Sequence, residues 1–313
     1  MKIGVDVLGG DYAPHNVVLG AILAQKELHA DVKIVLIGDE EASRKILQEQ
    51  NVDSSLFDFV HTTEAIEMGE HPAKAFQKKP NSSIALGFGL LQQNLIEGFA
   101  SAGNTGAMLV GATFTVKSIP GVVRPSIPAV IPKLNGGSSC ILDVGLNADC
   151  KPDVLYQYAI LGSYYVEYVL GIKNPKVGLL NIGSEREKGN LLTKATNELM
   201  QGSKDFNFIG NVEGHDIFTN EVDVIVCDGF VGNVVLKLCE SFSGITRKCF
   251  GKNDPFFERL DPDLVGGVPV LGVNSTVVIG HGASSDVAIK NMIIHTADVA
   301  KANLSARFKE VFK

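Results

Sequence analysis

Short β-branched runs alternate with amphipathic stretches along almost the whole chain, and this alternation restricts the fold more than any other feature. Candidate strands are Ile3–Val7, Lys33–Ile37, Phe99–Ala102, Ile127–Ile131, Ser139–Asp143, Val177–Asn181, Asn207–Ile209, Val222–Cys227 and Ser275–Ile279. Between them the sequence predicts helices near Asn16–Leu28, Glu40–Gln50, Ser82–Ile96, Gly106–Lys117, Pro152–Leu170, Asn190–Met200, Asn233–Cys249 and Ser285–Val299. In two of these, Ile84, Phe88, Leu91 and Leu95, and Val154, Tyr158, Leu161 and Tyr165, recur at helical spacing on one apolar face. Helix after strand, repeated, implies crossover connections and a mostly parallel, doubly wound sheet covered on both faces, an α/β fold.

One segment breaks the pattern. Two apolar runs within residues 126–143 are joined by Pro132-Lys-Leu-Asn-Gly-Gly137, a turn-rich link that predicts an antiparallel hairpin. It reads equally as an arm for dimerisation or as a local excursion. No linker, repeat or low-complexity tract divides the 313 residues, so residues 1–313 read as a single catalytic unit with room for two lobes about a cleft.

A chain of this size buries roughly 75% of its unfolded surface and needs no staple. The formal net charge of −7 argues against a nucleic-acid partner and gives no general attraction to anionic lipid. Five cysteines (Cys140, Cys150, Cys227, Cys239, Cys249) include no C-x-x-C pair, and the opening Lys2-Ile-Gly-Val-Asp-Val7 reads as a strand rather than a secretory signal. Reduced thiols and a cytoplasmic location are the expectation. The uncharged stretches Gly98–Val116 and Leu264–Ser285 are broken by Gly, Asn, Ser and Thr, so neither reads as a membrane span.

Glycine, 33 residues in all, is above the usual ~7% and falls in a telling pattern. Five loops repeat the order apolar strand, glycine turn, helix start. They are Leu8-Gly-Gly-Asp11, Ser101-Ala-Gly-Asn-Thr-Gly106, Asn181-Ile-Gly-Ser-Glu-Arg-Glu-Lys-Gly-Asn190, Asp228-Gly-Phe-Val-Gly-Asn233 and Gly280-His-Gly-Ala-Ser-Ser285. Glycine lets backbone N–H groups approach an anion, and a helix N-terminus adds unpaired donors. In a parallel sheet such loops gather at the carboxyl ends of the strands, where ligands bind.

The anion is not read as a dinucleotide or a nucleoside triphosphate. No G-x-G-x-x-G follows the first strand, and Gly87-Phe-Gly89 lies inside a predicted helix. In Gly183-Ser-Glu-Arg-Glu-Lys188-Gly189 the lysine precedes the second glycine and no Ser/Thr follows, which excludes Walker A. There is no G-x-S-x-G elbow, Cys227 reads as a buried structural thiol, and no metal site is expected. Asp143-x-Gly-x-Asn147-x-Asp149 reads as an Asx-type turn rather than a calcium loop.

The polar residues inside the glycine loops remain. His281, between Gly280 and Gly282, reads either as a projecting site residue or as a structural hydrogen-bonder. Lys188 reads as the charge partner of a phosphate or as an exposed lysine. Asn104, Asn181, Asn190 and Asn233 could donate amides or serve as caps. Asp11 and Asp228 could orient the lysine or cap helices.

Several longer motifs resemble the bacterial acyl-carrier-protein:phosphate acyltransferases of phospholipid synthesis. They are Gly9-Gly-Asp-Tyr-Ala-Pro14, Ser101-Ala-Gly-Asn-Thr-Gly-Ala107, Pro120-Gly-Val-Val-Arg-Pro125, Gly178-Leu-Leu-Asn-Ile-Gly183, Lys188-Gly-Asn190, Gly210-Asn-Val-Glu-Gly214, Cys227-Asp-Gly-Phe-Val-Gly-Asn-Val-Val-Leu-Lys237 and Gly280-His-Gly282. The resemblance implies a fold similar to the isocitrate/isopropylmalate dehydrogenases and phosphotransacetylases. It implies no cofactor, and a homodimer that transfers a fatty acyl chain from acyl carrier protein to inorganic phosphate.

On that reading Lys188, His281 and Asn233 are the catalytic candidates. The phosphate or acyl phosphate is expected at Gly9, Gly10, Asp11, Gly103, Asn104, Thr105, Gly106, Asn181, Gly183, Gly189, Asn190, Asp228, Gly229 and Gly232. Tyr12 departs from the family's histidine, so no role passes to it. The segment between Asn233 and Gly266-Gly-Val-Pro269 is shorter than the family's amphipathic excursion, which leaves at most peripheral membrane contact. Arg247, Lys248, Lys252 and Arg259, or Arg124 and Lys133, are candidates to receive an acidic carrier protein. The competing readings are a coenzyme A-dependent enzyme resembling phosphotransacetylase and a non-catalytic regulator that binds acyl carrier or phosphate.

Overall fold

The computed structural model describes residues 1–251 and 254–312. The opening run forms β1 (Lys2–Asp6), followed by α1 (His15–Glu27), β2 (Lys33–Gly38), α2 (Glu40–Glu49), β3 (Phe57–His61), α3 (Pro72–Lys78), α4 (Ser83–Gln92), β4 (Gly98–Ser101) and α5 (Thr105–Val110). A π-helical stretch, Gly111–Lys117, continues α5. Next come β5 (Pro128–Pro132), β6 (Ser138–Leu142), α6 (Pro152–Tyr168), β7 (Lys176–Leu180), α7 (Leu191–Met200), β8 (Asn207–Val212), β9 (Val224–Val226), α8 (Gly229–Phe250) and α9 (Pro255–Glu258). Then follow α10 (Pro262–Val265), β10 (Gly267–Pro269), β11 (Thr276–Gly280), α11 (Asp286–Ala302) and α12 (Leu304–Val311).

These elements divide into two units, Met1–Ile119 with Pro262–Ala306, and Pro120–Asp261 with Arg307–Lys313. The first unit holds a six-stranded sheet in the order β10-β11-β4-β1-β2-β3, parallel except for β10. Strand residues alternate between its faces. Ile3, Val5, Ile34, Leu36, Ala100 and Val278 pack with α1 and α11 through Val17, Val18, Ala21, Ile289 and Ile293. Val35, Ile37, Phe99, Val277 and Ile279 pack with α4 and α5 through Ile84, Phe88, Leu91 and Met108. Both faces are therefore covered, as a parallel sheet requires. Gly87 serves this packing: a Cβ there would lie 2.2 Å from the Phe99 ring.

The second unit holds a five-stranded sheet, β5-β6-β9-β7-β8, with only β5 antiparallel to its neighbour. All four apolar-face residues of α6 (Val154, Tyr158, Leu161 and Tyr165) are buried, as are Leu142, Val177 and Val224–Val226 on the strands.

The α/β class with mostly parallel strands matches the sequence reading, but the strands are shared between two sheets. Local periodicity identifies a strand and says nothing about which sheet it joins. The hairpin forms as β5 and β6, and β6 pairs on its far side with β9, so of the two hairpin strands β5 alone lies at a sheet edge. Leu95 is a correction: α4 ends at Gln92, and the side chain expected on its buried face is exposed.

Candidate functional site

In the first unit, β1, β4 and β11 are adjacent and parallel, so the glycine loops that follow them open at one end of the sheet. Gly9 makes the closest approach: a Cβ there would lie 2.5 Å from Asp6 Oδ2 and 2.7 Å from the Gly103 nitrogen. Gly10 backs onto the Gly282 carbonyl, and the Asp11 N–H donates to that same oxygen at 2.8 Å. Beneath these loops lies Asp6, only 1% exposed. It accepts from the Ser101 hydroxyl at 2.6 Å and the Leu8 N–H at 3.0 Å. Ser101 Oγ in turn accepts from Gly103 N–H at 2.9 Å. Burial pushes the Asp6 carboxyl above its ordinary pKa, against the pull of its hydrogen bonds.

Asn104 is committed locally. Its Oδ1 caps α5 through Ala107 N–H at 2.9 Å, and its Nδ2 faces the carbonyls of Glu67, Met68 and Glu70 at 3.0–3.2 Å. The amide expected to meet an anion instead clamps a neighbouring loop. Thr105 opens α5 and is exposed, while Gly106 packs against Pro72. His281 is exposed; its Nδ1 accepts from Ala283 N–H at 3.3 Å, and Nε2 has no partner among the described residues. The Asp11 carboxylate caps nothing, since Pro14 precedes α1.

In the second unit, β6, β9 and β7 are adjacent and parallel, and the loops after them gather in the same way. Asp143 follows β6 and lies fully buried under the start of α8. Its carboxylate accepts from the N–H groups of Ile127 (3.0 Å) and Asn147 (2.6 Å), so it ties the turn that follows it to the residue just ahead of β5. Burial raises its pKa. Gly229 and Gly232 fit against it: a Cβ on Gly232 would come 1.9 Å from the Asp143 carbonyl oxygen, and one on Gly229 2.7 Å from Oδ2. Asp228 caps α8, accepting from Val231 N–H at 2.9 Å. Asn233, one turn further, is exposed, lies beside Gly145 and has no hydrogen-bond partner among the described residues.

The loop 181–190 is braced from within. Asn181 Nδ2 donates to the Lys188 carbonyl at 3.2 Å, and Asn211 Nδ2 donates to the Glu185 carbonyl at 2.8 Å. Gly189 takes φ +99°, a conformation that favours glycine, and a Cβ there would meet Thr193 Oγ1 at 2.0 Å. Asn190 caps α7 through Thr193 N–H at 2.9 Å, leaving its NH₂ open. The Lys188 stem lies along Gly183, and its ammonium group has no partner among the described residues. Asn181 and Asp228 are spent on local bonds, and Asn104 on its helix cap and the 67–70 loop. Lys188, Asn190 and Asn233 present open donors.

Two buried carboxylates, Asp6 and Asp143, were not among the sequence candidates. The available signal was an aspartate closing an apolar strand just ahead of a glycine loop. Cys227 is buried and burial holds its pKa well above the usual thiol range, so it carries no thiolate at neutral pH. No group of three His, Cys, Asp or Glu among the described residues is placed to hold a metal.

The basic residues offered to a carrier protein fare unevenly. Lys133 is a correction: it is 5% exposed and pairs with Asp223 at 2.5 Å, so it cannot receive a partner. Arg259 holds the carbonyls of Gly136 and Gly137, Arg247 pairs with Asp261, and Arg124 donates to the Asp149 carbonyl. Lys248 is exposed, and Lys252 lies outside the described residues. In the apolar segment after α8, the half-buried Phe256 and Phe257 meet each other edge-to-face, and Phe256 meets Phe218 and Phe257 meets Phe242 in the same way.

Residues 1–253 match the family model described as fatty acid synthesis protein. The chain is 42% identical over 330 aligned positions to "Phosphate acyltransferase" of Dictyoglomus turgidum, covering 99% of this chain and 97% of the relative. It is 40% identical to the protein of the same name from Halothermothrix orenii, covering 99% and 98%. Among solved structures, a phosphotransacetylase from Streptococcus pyogenes superposes with TM-score 0.72 at 19% identity, covering 96% of this chain and 94% of the other. A 4-hydroxythreonine-4-phosphate dehydrogenase from Klebsiella pneumoniae superposes at 0.54 and 12%, covering 96% and 98%. These two share the fold.

Proposed function

The chain belongs to the phosphate acyltransferase family, and from that premise we propose that it moves a fatty acyl group from the thioester of acyl carrier protein onto inorganic phosphate. The product is an acyl phosphate for phospholipid synthesis. The supporting observation is the cradle of the second unit, where open donors on Lys188 and Asn190 at the loop after β7 and on Asn233 in the first turns of α8 after β9 project outward, with no activated nucleophile beside them among the described residues.

Phosphate is its own anionic nucleophile, so the protein's work is placement and charge. The phosphate must sit within about 3–3.5 Å of the thioester carbonyl. Lys188 balances its charge, and Asn190, Asn233 and the first N–H groups of α8 supply donors. The oxygen of phosphate attacks the carbonyl carbon, the C–S bond breaks, and the sulfur leaves as a thiolate. A thiol with pKa about 8.5 leaves more readily with a proton or a cation at hand; His281 is kept as a catalytic candidate on its chemistry alone, to be tested separately. Gly9 and Gly10 shape the loop that carries Asp11, which Gly103 approaches and which meets the separate loop carrying His281 at the Gly282 carbonyl. We place the protein in the cytoplasm as a homodimer with at most peripheral membrane contact. No described helix is long and apolar enough to cross a membrane.

The test is release of carrier-protein thiol from a long-chain acyl carrier protein, with and without inorganic phosphate. Phosphate-dependent release with acyl phosphate formed is expected, and acyl-coenzyme A should be the poorer donor. Release without phosphate would make the protein a thioesterase, and binding without release would make it a regulator. Lys188→Ala is expected to raise the KM for phosphate at least tenfold; an unchanged value removes the lysine from the cradle. His281→Ala with an unaltered rate removes the histidine.

A further inference from the structure

Single exposed apolar residues are normal on a protein surface. The distribution here is not scattered. Among the described residues, three of the five most exposed large hydrophobic side chains stand at the cradle of the second unit, on its loop or in the helix turns that follow: Leu191 (89%), Ile182 (80%) and Phe230 (67%). Each is held outward by the polar bonds of its own loop. Ile182 N–H is tied to Asn181 Oδ1 at 2.9 Å. Leu191 opens α7 just after its cap Asn190, and Phe230 lies in the first turn of α8 behind Asp228. From there the exposed residues Val231, Val234 and Leu238 continue along one face of α8, about 10 Å from first to last at 1.5 Å per residue.

We propose that this apolar border is the acyl-chain subsite: Ile182, Leu191 and Phe230 receive the carbons next to the thioester carbonyl, and Val234 and Leu238 receive those further out. The inference rests on the phosphate cradle proposed above and adds the other substrate to it. A small, strongly charged nucleophile and the end of an alkyl chain have to meet at one carbon. A polar pocket edged by apolar side chains is the arrangement that meets both demands. The occupant is therefore the fatty acyl group. The stripe carries no charged residue from Val231 to Val234, and Lys237 beside Leu238 is paired with Glu240 at 2.7 Å.

Initial rates would be measured with octanoyl, dodecanoyl and hexadecanoyl carrier protein for the wild type, Phe230→Ala, Ile182→Ser and Leu238→Ser. Burial is worth about fourfold per methylene, from about 0.8 kcal/mol. Phe230→Ala and Ile182→Ser, at residues that meet carbons common to all three chains, are expected to lose at least tenfold in kcat/KM at every length, with the KM for phosphate unchanged. Leu238→Ser should affect only the longer chains. Unaltered rates for Phe230→Ala and Ile182→Ser, or a Leu238→Ser loss as large with octanoyl as with hexadecanoyl, would overturn the proposal. So would sedimentation showing that the variants fall apart into smaller species, since the stripe would then be covered by a second copy. Failure of the cradle reading is seen separately, as a Lys188→Ala enzyme whose phosphate KM does not move.

Discussion

Asp6 and Asp143 occupy equivalent places in the two units. Each closes or follows an apolar strand, each is buried, and each is closely approached by a glycine just beyond it, Gly9 of the next loop above Asp6 and Gly229 at the start of α8 above Asp143. A buried carboxylate that accepts several N–H or O–H bonds holds its loop by fixed geometry rather than by apolar packing. Lys133 shows the same economy of polar groups with a charge pair. Its ammonium group and Asp223 are both largely out of water, and Asp223 Oδ2 also accepts from Lys176 N–H at 2.8 Å. Removing one member leaves the other unpaired, which typically costs 3–5 kcal/mol for a fully buried pair. Lys133→Ala is therefore expected to lower unfolding stability by about 3 kcal/mol in urea titrations while leaving the KM for acyl carrier protein as it was. A raised KM at unchanged stability would restore the surface role that the sequence suggested.

At the scale of elements, α8 brings Asn233 and the apolar stripe to the site, and its two halves answer differently to the same substitution. Gly232→Ala would drive a methyl group into the Asp143 carbonyl, where backbone cannot yield, and at 2.9 Å into Cys227 Sγ. Gly244, exposed on the same helix, has nothing within 4 Å. Melting curves are expected to show Gly232→Ala destabilised by about 3 kcal/mol and Gly244→Ala stabilised by about 0.5–1 kcal/mol, the helix-propensity difference between glycine and alanine. Equal shifts would mean that Gly232 is not a packing glycine. Long elements such as α6 and α11 were legible because their apolar faces repeat over several turns. β3 was not, since Phe57-Asp-Phe-Val-His61 mixes a charge and a histidine into a short run. β10 has only three residues and ends in proline, tolerable because it is an edge strand. The glycine loops were legible as a class, but not which asparagines within them were free. That depends on contacts such as Asn104 with Glu67, Met68 and Glu70, separated by 34 to 37 residues.

For the whole molecule, pH acts through groups that pull in opposite directions. His295, partly buried on α11, has its pKa lowered by desolvation to about 4. In the unfolded chain it lies near 6.5. As the pH falls below about 6.5 the unfolded chain takes up this proton first, so the histidine's contribution to stability is present above that value and lost on the way to about 4. Asp6 and Asp143 have raised values, so the folded chain binds their protons more tightly. Their contribution is largest in acid and declines as the pH climbs from about 3.9 through the raised values. A bare stability profile sums these slopes, and a variant that cannot titrate separates them. The stability of the wild type minus that of His295→Asn, from urea unfolding at pH 7, 5.5 and 4.5, is expected to fall by about 2 kcal/mol, below the full effect of the shift because water reaches part of the ring. The same difference for Asp6→Asn should rise over that range. A flat histidine difference would show that the ring is protonated at its ordinary pH, and a falling aspartate difference would show that Asp6 is ionised and stabilised by its hydrogen bonds instead of held neutral by burial.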